Sequence, residues 1–137
     1  AYVYSLIPRV ILFREEHTPR TLVEKVDFVS AAGTSPEGEY RPGGPHALVT
    51  GLCVLAFDKA RARFSLKSVH PGVTAGDVVF RGPPIRFPFD YDEPAAVPVT
   101  TGLSAPAREL LYGRVADEIA ELYPAFATRV LGRVAAG

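Results

Sequence analysis

The stretch that most limits how this chain can fold is Ala47 to Phe57, where only Thr50 and Gly51 interrupt a run of Ala, Leu, Val, Cys and Phe. A run this apolar must be buried, and its short length and β-branched content favour a strand over a helix. The expected element is one buried strand, with Gly51 marking a bulge or a close approach of another backbone. A turn at Asp58-Lys59-Ala60-Arg61 then leads into Arg63 to Val69. There Phe64 and Leu66 alternate with polar residues, as in a half-buried strand paired antiparallel to the first.

That second strand runs directly into Ser68-Val69-His70-Pro71-Gly72-Val73-Thr74-Ala75-Gly76-Asp77-Val78. Pro71 presets φ for the first central position of a type II turn, and Gly72 suits the positive φ of the second. Thr74 is placed as an N-cap with Asp77 three residues on, an acidic form of the capping box, so a short helix should begin at Ala75. His70 reads as a half-exposed turn residue, because nothing in the motif supplies a second metal ligand or a nucleophile.

Upstream, Val10-Ile11-Leu12-Phe13 has the pattern of a strand buried on both faces of a parallel sheet. Glu15, Glu16 and His17 crowd its carboxyl end, the end where open α/β sheets bind ligands. The competing reading is a pair of solvated charges or helix-facing ion pairs. Thr18-Pro19 breaks the chain. The segment Leu22 to Val29 fits either periodicity, and its β-branched and aromatic residues favour a short strand from Val26 to Ser30. Gly33 to Pro45 is a loop, in which Gly43-Gly44 lacks the Lys-Ser/Thr and the helix that a phosphate cradle needs.

Downstream, the prolines between Arg81 and Pro106 predict an extended arm without a hydrogen-bonded ladder. Phe87, Phe89 and Tyr91 alternate along it and require a surface to dock on. Ser104 is placed to cap a helix from Ala105 to about Tyr123, with Leu111, Val115, Ile119 and Leu122 as its apolar face. Pro124 stops that helix, and a last turn or two, Ala125 to Leu131, ends at Gly132. The expected organisation is a core at 1–80, an arm at 81–104, and a helical segment at 105–137 packing on the same domain.

Composition excludes several classes. The 137 residues fit one domain, and 15 basic against 15 acidic residues give a formal charge of zero. That balance argues against a nucleic-acid or membrane-surface binder. The one cysteine, Cys53, lies in an apolar run and reads as a buried thiol in a reducing compartment. No run approaches the roughly 18 to 20 apolar residues that span a bilayer, and no leader opens the chain, so a soluble cytoplasmic protein is expected. The absence of Met points to an excerpt, a processed chain or the ordered part of a longer one.

Read in order, five landmarks carry a resemblance. They are the strand ending in Glu16-His17, the segment Val23 to Val29, the segment Gly43-Gly44-Pro45-His46-Ala47-Leu48-Val49-Thr50, the strand running to Phe57-Asp58, and Val69-His70-Pro71-Gly72-Val73-Thr74. The series resembles the carboxyl-terminal half of the beta subunit of class I coenzyme A transferases, nearest to glutaconate-transferase-like members and relatives in aromatic and steroid catabolism. It implies an α/β fold with an open, mainly parallel sheet flanked by helices. It also implies an assembly with an alpha-type subunit or with an upstream half of the same chain, as a hetero-oligomer.

Family members move coenzyme A from an acyl thioester to a free carboxylate, and a beta-subunit glutamate attacks the thioester to give an acyl anhydride and then a glutamyl thioester. That glutamate lies upstream of the part matched here, so no residue of this chain is assigned a catalytic role. Glu16, His17 and His70 are the residues expected nearest the substrate, as positioning groups. No cofactor or metal is expected, with the acyl-CoA thioester as substrate. Two departures stand out. Gly51 occupies a position usually acidic or asparagine, and Arg81-Gly82-Pro83-Pro84-Ile85-Arg86 intervenes before Phe87. The alternative activities are a CoA-thioester hydrolase subunit and a non-catalytic acyl-CoA-binding or assembly domain.

Overall fold

Gly51 is where the apolar run turns back on itself. The computed structural model describes residues 3–80, 84–91 and 96–132, and it holds one sheet of five strands lying in chain order. These are β1 (Val10–Arg14), β2 (Pro45–Thr50), β3 (Cys53–Asp58), β4 (Arg63–Val69) and β5 (Phe89–Asp90). The single strand expected over Ala47 to Phe57 is therefore corrected to two, β2 and β3, paired antiparallel with Leu48 opposite Leu55 and Val49 opposite Val54. Both strands are apolar, so composition alone does not reveal the reversal between them.

Pairing is parallel for β1 with β2 and for β4 with β5, and antiparallel on both sides of β3. Four of the five strands thus point one way, which is the open, mainly parallel α/β sheet the sequence implied. The tight connections explain the two antiparallel pairs, since a parallel pair needs a long crossover. Residues 15–44 supply one between β1 and β2. At the other hairpin Asp58 accepts from the amides of Ala60 and Arg61 at 2.9 and 3.1 Å, the side-chain turn for which aspartate is suited.

One face of this sheet carries the core. Leu22, Leu48, Cys53, Leu55, Leu66 and Val69 pack with Ala75 and Val78 of α1 (Ala75–Phe80). Burial of each such branched side chain contributes about 1.5–3 kcal/mol. The helix starts as expected: the Asp77 amide donates to Thr74 Oγ1 at 3.1 Å, and the Thr74 amide and hydroxyl both donate to Asp77 Oδ2 at 2.7 Å. Gly72 has φ +81°, and the Val73 amide closes the turn on the His70 carbonyl at 3.0 Å.

The expectation that β1 is buried on both faces is corrected. Leu12 packs on the core cluster, but Ile11 and Phe13 on the opposite face are 65% and 66% exposed. β1 is an edge strand of the described sheet, as β5 is on the other side, and its side chains alternate. The strand expected from Val26 to Ser30 is also absent; this segment is irregular, with Val26, Phe28 and Val29 exposed. β propensity describes fit to a pleated, half-buried surface, and these residues have no pairing partner.

The arm makes more ladder than its prolines suggested. β5 pairs with β4 through Phe64–Phe89 and Ser65–Asp90, and Val99 bridges Val69. Ile85, Phe87, Phe89 and Val97 pack on the core, with the Phe64 and Phe87 rings 5.4 Å apart. Arm residues 81–83 and 92–95 lie outside the described residues, so the departure at Arg81-Gly82-Pro83 does too.

The chain divides into two compact units, Ala1–Thr100 and Thr101–Gly137. In the second, Ser104 caps α2 (Ala105–Leu110) by accepting from the Ala107 amide at 3.4 Å. A π-helical turn (Leu111–Val115), α3 (Ala116–Leu122), α4 (Pro124–Phe126) and a second π-helical turn (Ala127–Leu131) follow, ending at Gly132. The expected leucine face is corrected in part. Leu111, Val115 and Ile119 are half-buried and Leu122 is 74% exposed, whereas Ala116, Ala120, Ala127 and Leu131 are the buried residues. Gly113, at φ −94° and ψ −120°, interrupts the helix and shifts its phase.

Candidate functional site

The carboxyl ends of β1, β2 and β4 come together where the sequence placed its polar residues. After β1 the chain passes through Glu15, Glu16 and His17, after β2 through Gly51, and after β4 through His70. The Glu15 carbonyl accepts from the Gly51 amide at 2.9 Å. A Cβ on Gly51 would stand 2.6 Å from that carbonyl oxygen, so the close approach expected at Gly51 is present.

At the centre stands Thr50, 1% exposed. Its Oγ1 accepts from the amides of Leu52 and Cys53, both at 3.2 Å, and lies 3.0 Å from His17 Nδ1. His17 Nε2 is 2.7 Å from the Val78 carbonyl of α1. A carbonyl can only accept, so Nε2 carries the proton and Nδ1 accepts from the Thr50 hydroxyl. That arrangement requires a neutral imidazole. Burial pushes the His17 pKa below its usual value, against a smaller upward pull from the Val78 carbonyl.

His70 reaches the other side of the same residue. Its Nε2 donates to the Thr50 carbonyl at 2.9 Å, and its Nδ1 lies 3.1 Å from Thr100 Oγ1, which is 2.7 Å from Ser68 Oγ. Thr50 thus joins the loop after β1, the hairpin after β2, the end of β4 and helix α1. Cys53 is fully buried beside it, and burial raises the thiol pKa against a smaller lowering by Thr50. That thiol is a packing group.

The structure therefore brings His17 and His70 together through Thr50, with all four ring nitrogens engaged by protein atoms. Glu16 is not part of this network. It is exposed, accepts from the Thr18 hydroxyl at 3.0 Å, and borders an open depression of about 310 Å³ lined also by Phe13, Arg14 and Glu15. Thr50 itself was missed by sequence reasoning. Its signal was a hydroxyl within an otherwise apolar run, beside a glycine. Among the described residues, no group of three His, Cys, Asp or Glu side chains is placed to hold a metal ion. Among them, no helix is long and apolar enough to cross a membrane.

No family model matches the chain. Over 94 residues it is 35% identical to the B-type subunit of 3-oxoadipate CoA-transferase from Pseudomonas knackmussii, a match covering 64% of this chain and 35% of that protein. The fold superposes on the Rhodococcus jostii IpdAB crystal structure with a TM-score of 0.64 and 28% identity, covering 77% of this chain and 42% of that one. Over the matched stretch the chain is similar in sequence and fold to CoA-transferase subunits. Glutaconate coenzyme A-transferase from Acidaminococcus fermentans shares the fold, with a TM-score of 0.61 at 22% identity over 80% of this chain and 42% of that one. The chain spans about a third of the curated relative's length and under half of each solved chain.

Proposed function

We propose that the chain is part of a CoA-transferase beta subunit that moves coenzyme A between an acyl thioester and a carboxylate in the cytoplasm, together with an alpha-type partner. The observation that carries this reading is the 94-residue match to the 3-oxoadipate CoA-transferase sequence. In this role the Thr50 network fixes the strand ends that frame the site, with His17 and His70 as positioning residues. Glu16, exposed beside Arg14, is the substrate-facing group. The nucleophilic carboxylate that the family resemblance implies comes from outside these residues.

The test is an exchange assay on the assembled protein, with an acyl-CoA and an isotopically labelled free carboxylate. Label should enter the thioester pool, and thioester should persist when the acceptor is omitted. Loss of thioester at the same rate without acceptor would replace transfer by hydrolysis. No reaction with a panel of acyl-CoAs would leave the binding or assembly role. Glu16→Gln should raise KM more than it lowers kcat, as expected for a group that binds substrate without reacting.

A further inference from the structure

The opposite end of the β1–β2 pair holds a second feature. Before β1 lies a short 3-10 turn (Val3–Leu6), and before β2 lies the loop that closes at Gly43 and Gly44. The two are bolted together: the Gly43 amide donates to the Ser5 carbonyl at 2.8 Å and the Gly44 amide to the Ile7 carbonyl at 3.0 Å. Lys59 fixes the same loop from β3's hairpin, its ammonium donating to the carbonyls of Arg41, Pro42 and Gly43 at 3.3, 2.6 and 2.7 Å. The glycine pair is thus no phosphate cradle, because its amides are already used.

Between the turn and the loop is a cavity of about 230 Å³ lined by Tyr4, Ser5, Ser30, Ser35 and Arg41, with two alanines. Among the described residues its side-chain polar groups are one phenol, three hydroxyls and one guanidinium, and no carboxylate lines it. The Tyr4 phenol carries a proton it can donate, and burial pushes its pKa further up. Glu39 meets Arg41 at 2.9 Å outside the lining, in a pair whose side chains are 40% and 44% exposed. An exposed ion pair of this kind is weak, and a phosphomonoester of charge about −1.5 to −2 competes well for a guanidinium.

We infer that this Arg41 cavity is an anion site that takes the terminal 3′-phosphate of coenzyme A. The inference rests on the CoA reading above. Size selects a terminal group, since pockets that enclose whole ligands run to about 300–1,000 Å³. A pyrophosphate in mid-chain would need a groove open at both ends.

The test is calorimetric titration of the assembled protein with CoA, with dephospho-CoA, which lacks the 3′-phosphate, and with inorganic phosphate. Arg41→Gln should weaken CoA about tenfold or more, the usual loss for a charged hydrogen bond, and leave dephospho-CoA within about twofold. Arg41→Lys should recover part of the loss by keeping the charge, and Arg20→Gln, outside the cavity, should change neither. CoA binding that ignores both Arg41 and the 3′-phosphate would overturn the site and leave the proposed function standing. Arg41-dependent binding of inorganic phosphate with no binding of any CoA species would overturn the assignment to CoA together with that function.

Discussion

At the carboxyl ends of β1 and β2, a buried threonine stands between two histidines whose ring nitrogens all have protein partners. At the amino ends of the same strands, one lysine ties three carbonyls while hydroxyls and a guanidinium line an open cavity. At the first end the threonine and the two histidines close on the protein while Glu16 stays exposed beside an open depression, and at the second a guanidinium paired with Glu39 borders a cavity lined by hydroxyls. The histidines, the residues that draw the eye in the sequence, have their ring nitrogens taken up by protein groups. Residues that read as ordinary loop line the accessible surface.

The largest effect that would separate the ends is expected from Thr50→Val. It leaves the Leu52 and Cys53 amides without their acceptor and removes the donor to His17, which should cost about 2–4 kcal/mol in denaturant unfolding. Thr50→Ser keeps the hydroxyl and should stay within about 1.5 kcal/mol of the parent. A Thr50→Val loss below about 1 kcal/mol would show the carboxyl end to be as loosely held as the other. Lys59→Met is the matching change at the amino end. Because the ammonium is solvent-accessible, we expect a loss of about 1 kcal/mol, seen more clearly as faster amide exchange across residues 33–44.

The smallest effect should come from His17→Gln, and it sharpens the comparison through pH. The folded pKa of His17 is lowered from 6.5 by burial, so the unfolded chain binds the proton first as pH falls. The stability this site contributes is full above about pH 6.5 and is lost as pH drops below that value. His17→Gln should flatten that part of the stability profile relative to the parent. Parallel profiles would mean that the imidazole accepts its proton without breaking the Thr50 contact.

Much of this arrangement was legible in the sequence where the interaction was local. Thr74 and Asp77 meet three residues apart, Gly72 sits in the turn that Pro71 prepares, and Phe64 and Leu66 alternate as a half-buried strand should. The placing of Glu16 and His17 at a strand end also followed from local pattern, whereas the α/β class came from the family resemblance. The failures are of another kind. The β2–β3 hairpin was hidden because both strands are apolar and the residues between them include Leu52. Thr50 was hidden because its partners lie 33 and 20 residues away in sequence. The leucine stripe misled because Gly113 shifts the helix phase between Leu111 and Ile119.

The two glycines that bracket β2 have a consequence for how this gene can change. A Cβ on Gly43 would run into the backbone of Ile7, and one on Gly51 into the carbonyl of Glu15. Every missense mutation at either codon installs at least that carbon, so a change at either position has to move the backbone that faces it. The seam between β1 and β2 is tight at both ends. Lineages can vary the charges on the loops around it far more readily than they can slide one strand against the other.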